Sequence, residues 1–347
     1  MSAFARPLPS LGICSVLAAA CVGVEAPDEA PALALHDHHV HVLSQQLVDD
    51  WKSLGVPFSR PDEAYTSPAG LFAASDPAAA EGALPLGGVV LVPMAHFYAN
   101  AELRGALELD LEAEQARVRA ENEHVARVAE RWGDRAVALV SVDFTRPYAR
   151  REAERALADG AVGLKLHLGS ASPDLTDPAV LADLADWFAW AERDDFGVLL
   201  HLDPQRRGLT QADVTHFLEG VFGPVPDLRV VIAHLGGSGG FGDWTQSVLA
   251  AITAWLEAEA RAGRLRPHVL VDVSAALLAA PSEGVPATTP EEAAALAPAL
   301  RRLGLERVVF ASDAPVFDPW DTWELLLDRT DLTPSEQARI LTNRAVW

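Results

Sequence analysis

Short apolar runs alternate with amphipathic segments along the second half of this chain, and that alternation constrains the fold more than any other feature. Gly163–His167, Val198–Leu202, Arg229–Ala233, Val269–Val273 and Arg307–Ala311 are separated by Asp177–Arg193, Thr210–Phe222, Asp243–Ala262 and Pro290–Leu303. Apolar runs of this length are strands buried on both faces, and helix-length connections between them make parallel βαβ units. Three earlier runs, Leu35–Val42, Gly88–Pro93 and Ala136–Val142, raise the strand count to eight. Eight is the number that closes a (β/α)₈ TIM barrel, so the expected fold is α/β of that class. A doubly wound open sheet is the structural alternative. No Gly-rich phosphate loop follows the first strand, so a nucleotide site has no support.

The remaining segments complete the outer layer. Helices are predicted over Ser44–Leu54, Ala101–Trp132, Ala149–Ala158, Trp320–Arg329 and Pro334–Trp347. Pro57–Leu86 is a long Pro/Gly/Ala-rich connection, of the kind that usually carries function. The 347 residues, half of them hydrophobic, suffice for one large barrel domain over 31–347.

Residues 1–30 read as a leader and linker. Arg6 precedes an apolar run from Leu11 to Val24, too short to span a bilayer and shaped like a secretory signal. Leu17-Ala18-Ala19-Ala20-Cys21 resembles a bacterial lipoprotein box, with Ala18 where the large aliphatic residue usually stands. Export is the expectation, either free in the periplasm or held to the membrane by a lipid anchor at Cys21; a cytoplasmic leader is the alternative. Cys14 and Cys21 are the only cysteines, so the body of the chain has no thiol chemistry. The net charge of -22 argues against nucleic acid or an anionic membrane surface as partner.

Chemistry-bearing residues gather at one end of the strands. Leu35-His36-Asp37-His38-His39-Val40-His41-Val42 opens the first strand, and strict alternation puts Asp37, His39 and His41 on one face. Two imidazoles at i and i+2 can reach a single ion, zinc being held at ~2.0–2.1 Å by His nitrogens. The fourth strand ends in Lys165-Leu166-His167, the fifth in His201, the sixth in His234 and the eighth in Ser312-Asp313. In a barrel the C-terminal strand ends carry the active site. One such histidine is most simply a packed or loop residue, but packing alone does not repeat the event on four strands. His96, past the second strand, either lines the pocket or belongs to a loop. Asp37 and Asp272 either orient imidazoles or bond backbone. His124 and His216 fall on helices and are expected at the surface. Gly236–Gly240 either binds an anion or, more simply, lets the backbone pass close to the pocket.

These motifs resemble the amidohydrolase superfamily, and their wording fits its amidohydrolase-2 branch, which includes the aminocarboxymuconate-semialdehyde decarboxylase relatives. Asp37-His38-His39-Val40-His41 fits the opening D-x-H-x-H, and Pro226 to Gly237 (P-D-L-R-V-V-I-A-H-L-G-G) fits the sixth-strand signature. Val308 to Pro315 (V-V-F-A-S-D-A-P) fits the S-D-x-P ending, with Ala311 where Gly is usual, and Thr342-Asn343-Arg344-Ala345 fits the closing helix. The resemblance implies that His39, His41, His201 and Asp313 bind one divalent ion, zinc being expected. It implies that His234 is an acid/base or carbonyl polariser, and that Asp313 takes the proton from metal-bound water. In binuclear relatives a fourth-strand lysine is carboxylated and bridges two ions. Lys165 stands in a suitable place, and His234 would then bind the second ion. One ion is the expectation, leaving Lys165, His167 and His96 to bind substrate.

The activity implied is hydrolysis of a small ester, lactone or amide through metal-activated water. The alternative is non-oxidative decarboxylation of an aromatic or muconate-type acid. A third reading, an exported barrel that binds without turnover, would be signalled by loss of Asp313 or of an H-x-H histidine, and all are present. A small molecule is the expected partner, and the resemblance also carries a homodimer.

Overall fold

The computed structural model describes residues 34–69, 86–203, 208–282 and 284–347. The expected leader with Cys14 and Cys21, and most of the 57–86 connection, lie outside the described residues. Eight strands run in parallel in the order β1 to β8: Leu35–His41, Leu86–Val92, Ala136–Ser141, Gly163–His167, Gly197–His201, Val230–Ile232, Val269–Asp272 and Val308–Val309. Backbone hydrogen bonds close the ring between β8 and β1. His38 N donates to Phe310 O (3.1 Å), Asp313 N to His39 O (2.9 Å) and His41 N to Ala314 O (2.6 Å). The eight-stranded TIM barrel read from the alternation is therefore the fold. Its continuous Val/Leu runs are buried between the barrel interior and the outer helices, as in β5, where Val198, Leu199 and Leu200 are at most 1 % exposed.

Helix caps place the outer layer. Ser44 caps Gln45–Ser53, Asp177 caps Pro178–Arg193, and Thr289 and Thr333 form capping boxes on Pro290–Leu303 and Pro334–Thr342. Each cap oxygen satisfies an amide that the first helical turn leaves without a partner. No helix among the described residues is long and apolar enough to cross a membrane.

Three of the predicted helices differ from the sequence reading by more than one residue. Ala101–Trp132 is two helices, Ala101–Ala106 and Leu111–Trp132. The chain turns through a left-handed Glu108 (φ 53°), and Asp110 caps the second helix by accepting from Ala113 N at 2.8 Å. The Thr210–Phe222 helix widens into a π turn over Leu218–Phe222, where Gly223 N reaches back to Leu218 O. The last helix stops at Thr342. Asn343 turns extended and its Nδ2 donates to Leu305 O and Val308 O, both at 2.6 Å. The tail then crosses the N-terminal mouth of the barrel, where Ala345 N donates to His38 Nε2 (3.3 Å). A Cβ at Gly197 would lie 2.9 Å from the Trp347 ring, so the first residue of β5 is glycine because the tail packs on it.

Candidate metal centre

β1 builds the core of the site. Its pairing with β2 shifts register between Asp37 and Val40, which breaks the simple alternation expected of this strand. His39 and His41 still converge, but Asp37 turns away from them. The Asp37 carboxylate accepts from Ser312 N (3.0 Å), Ser312 Oγ (2.5 Å) and His39 N (3.2 Å). It thereby ties β1 to the strand end that carries Asp313. Burial pushes Asp37 up to about 7, and the bonds from Ser312 and His39 work against that shift.

The other nitrogen of each β1 imidazole has a partner that sets its tautomer. His39 Nδ1 faces Asp272 Oδ2 (3.3 Å), and His41 Nδ1 faces Val92 O (3.0 Å). Both partners accept, so both Nδ1 atoms donate and both Nε2 atoms present lone pairs. Those two Nε2 atoms are 3.1 Å apart. Asp313 Oδ1 lies 3.0 Å from His41 Nε2 and 3.5 Å from His39 Nε2. Three acceptors this close repel one another unless a positive charge lies among them. Ligands held at ~2.0–2.2 Å from one ion are themselves about 3–3.5 Å apart, so His39, His41 and Asp313 fit a divalent metal.

A second acidic residue organises the histidines from behind. Asp272, fully buried at the end of β7, holds His39 through Oδ2 and receives His234 N (2.9 Å) and Ser274 N (3.1 Å) at Oδ1. Ser274 Oγ also donates to Asp272 Oδ1. Its oxygen is then free to accept from His234 Nδ1 (2.8 Å), which lies 3.1 Å from Ser274 O as well. His234 sits in the left-handed region (φ 54°), a conformation that costs a β-carbon residue about 1–3 kcal/mol. The bond from its amide to Asp272 holds it there. Asp272 is thus the orienting acceptor for His39, one of the two roles its position allowed.

His201 stands apart from the cluster that the resemblance assigned it to. Its Nδ1 lies 3.1 Å from His234 Nε2, and its ring stacks on His167 at 4.0 Å. The two ion-sized groups among the described residues, His39–His41–Asp313 and His39–His234–Asp272, do not contain it. His167 caps the turn after β4 by accepting from Ser170 N (3.0 Å), while its ring also lines the cavity. His96 is fully buried behind His167, with Nδ1 2.6 Å from Ser141 Oγ. It supports the wall without being part of it. His124 is half-buried rather than at the surface, packed where Thr66 and Leu43 offer backbone bonds, while His216 is exposed as expected.

Lys165 is 1 % exposed, and its Nζ lies 3.1 Å from His39 Nε2. Burial lowers it to about 8, against the pull of Asp313 and Asp272. The ammonium is one positive charge already aimed at the lone pairs. Gly236–Gly240 follows His234 closely: a Cβ at Gly236 would meet Ile252 at 2.8 Å and one at Gly237 would meet Thr245 at 2.2 Å. The glycines there serve close passage of the backbone. Ser274 went unnoticed in the sequence, and Ser312 was read only as part of the S-D-x-P ending. The signal for both was a serine one or two residues from an aspartate at a strand end.

These groups form the floor of a cavity of about 680 Å³ at the C-terminal end of the strands, walled by Trp51, Phe58, Tyr65, Met94, Phe97 and Phe317.

Comparison with known proteins bears on the family and the fold. The family model described as amidohydrolase matches residues 37–345. No curated protein matches the chain. Among solved structures, 2,6-dihydroxybenzoate decarboxylase in complex with 2,6-dihydroxybenzoate is similar at a TM-score of 0.58 and 14 % identity, covering 88 % of this chain and 96 % of that one. A 5-carboxyvanillate decarboxylase from Novosphingobium aromaticivorans, crystallised with manganese, gives 0.57 and 14 % over 89 % and 94 %. A structure named as a 2-pyrone-4,6-dicarboxylic acid hydrolase from Pseudomonas putida gives 0.50 and 18 % over 89 % and 94 %. Members of this superfamily include both decarboxylases and hydrolases, and the family match spans nearly the whole barrel: the chain belongs to the amidohydrolase family.

Proposed function

We propose that this chain catalyses the non-oxidative decarboxylation of an aromatic acid with the aid of one divalent ion, zinc or manganese. The observation that carries the reading is a buried lysine beside the His39–His41–Asp313 cluster, at the floor of a cavity walled by aromatic rings. Two of the three similar structures named above are decarboxylases of aromatic acids, and one of them holds manganese. Ester, lactone or amide hydrolysis, the first expectation from sequence, becomes the second reading, favoured by the structure named as a pyrone hydrolase.

The bound ion would supply a fixed positive charge for the oxygens of the substrate. Lys165 meets the carboxylate, whose charge its ammonium complements. Asp313, which lines the cavity, accepts the hydrogen bond of a ring hydroxyl. Decarboxylation needs one proton: it enters at the ring carbon as the bond to the carboxylate breaks and CO₂ leaves. The line between His201 Nδ1 and His234 Nε2 (3.1 Å) is where that proton is held. The aromatic walls exclude water from the carbon being protonated.

The test is a pair of assays on metal-loaded protein. Labelled CO₂ is followed from carboxyl-labelled hydroxybenzoates, and product from phenyl esters and small lactones. Release of CO₂ with little ester or lactone turnover is expected. Efficient ester or lactone turnover without CO₂ release would overturn the reading in favour of hydrolysis.

A further inference from the structure

The cavity has two chemically different parts. Its floor carries His41, Lys165, His201, His234 and Asp313, and most of the remaining lining is apolar. Among the described lining residues Lys165 is the one lysine or arginine, and Glu102 and Asp313 are the acids. Six large hydrophobic side chains are exposed among the described residues, and three of them, Leu54 (38 %), Val56 (40 %) and Val316 (41 %), line this cavity. Leu54 and Val56 follow the first helix, and Val316 follows the Asp313 turn, so two separate segments bring apolar groups to one opening. Scattered exposed hydrophobics are ordinary, but half of them on one rim mark a surface that something apolar covers. The volume, about 680 Å³, falls within the ~300–1,000 Å³ of sites that bury drug-sized ligands and exceeds the needs of a one-ring acid.

We propose that the substrate is an amphiphilic monocarboxylate: an aromatic acid with a single carboxylate at Lys165 and an apolar substituent of several carbons against Leu54, Val56 and Val316. This rests on the decarboxylase reading for the chemistry at the floor. A second carboxylate on the same ring would leave water for the apolar wall or for the neighbourhood of Glu102, with no second lysine or arginine in the described lining to receive it. Burial of an unpaired charge is unfavourable, so dicarboxylates are poor ligands. Each methylene of the substituent that leaves water at the rim tightens binding, by about fourfold per CH₂.

The experiment is calorimetric titration of the metal-loaded full chain with 2-hydroxybenzoate, its 6-propyl and 6-pentyl homologues, and benzene-1,3-dicarboxylate. The expected result is affinity rising about fourfold per methylene, with the dicarboxylate binding no tighter than 2-hydroxybenzoate. The paired variant Leu54→Ser with Val316→Ser should flatten the slope with chain length. Equal affinities along the series, or tighter binding of the dicarboxylate, would overturn the proposal. So would a flat series in which the paired variant instead changes the sedimentation of the protein, since the rim would then be a contact between copies. CO₂ release from the same acids is followed separately. A chain-length slope without CO₂ leaves the ligand class standing and removes the decarboxylase reading; CO₂ release without a slope removes the ligand class alone.

Discussion

His39 and His41 meet Nε2 to Nε2 at 3.1 Å, with each ring's other nitrogen already bonded to an acceptor. Two lone pairs so placed, with the Asp313 carboxylate beside them, are a site waiting for positive charge. Lys165 supplies one from the side. An ion held there would compete with the ammonium for His39 Nε2, and that competition would tie the metal content of the protein to the state of Lys165.

Replacing Lys165 by Met removes that competitor. Lys165→Met should bind the ion at least as tightly as the parent protein. Loss of a charged partner for the carboxylate, about 1.5–3 kcal/mol, should lower kcat/KM by roughly ten- to a hundredfold. Metal titration beside steady-state kinetics checks both. Loss of half of the bound metal would instead identify Lys165 as a bridge between two ions.

Asp272 holds two histidines at once, through different oxygens. Asp272→Asn keeps the volume but can no longer accept at both atoms as a carboxylate. Partners of metal-ligating histidines are typically worth about 10–100-fold in metal affinity or activity. The expected outcome is a loss of that size in either quantity with the melting temperature nearly kept. Ser274→Ala should lower kcat with little change in metal affinity, because Ser274 touches His234 and not His39. Equal metal loss in both variants would contradict the division of labour.

Glu121 gives a pH dependence away from the site. It is fully buried and accepts from the Ser44 amide, at 3.0 and 3.2 Å. Burial pushes it up from 4.5 to about 7. The folded state therefore keeps a proton that the unfolded chain releases, so stability is greatest below about 4.5 and falls as pH rises toward about 7. The loss from this group is on the order of 3 kcal/mol. Glu121→Gln should flatten that part of the stability-against-pH curve measured by denaturant unfolding. An unchanged slope would show that Glu121 ionises without cost.

The barrel was legible because burial on both faces writes an unbroken apolar run into each strand, and Gly163–His167 and Pro290–Leu303 match the structure to the residue. The break at Glu108 was not, because amphipathic spacing continues across 107–110 while one left-handed residue and the Asp110 cap decide the geometry. At the site, His39, His41 and Asp313 converge as their strand positions implied. His201 does not join them, because its place is set by stacking on His167 and a bond to His234, contacts between strands that no local pattern encodes. The same holds for Asp272, 233 residues from the His39 ring that it orients.

Metal content per chain is the most direct test of the central claim that His39, His41 and Asp313 hold an ion on which turnover depends. Elemental analysis of protein purified without chelator should find about one divalent ion per chain. His39→Ala should lose both the ion and turnover while its far-ultraviolet circular dichroism stays that of the parent. Full turnover in metal-free protein, or full metal content in folded His39→Ala, would contradict the account.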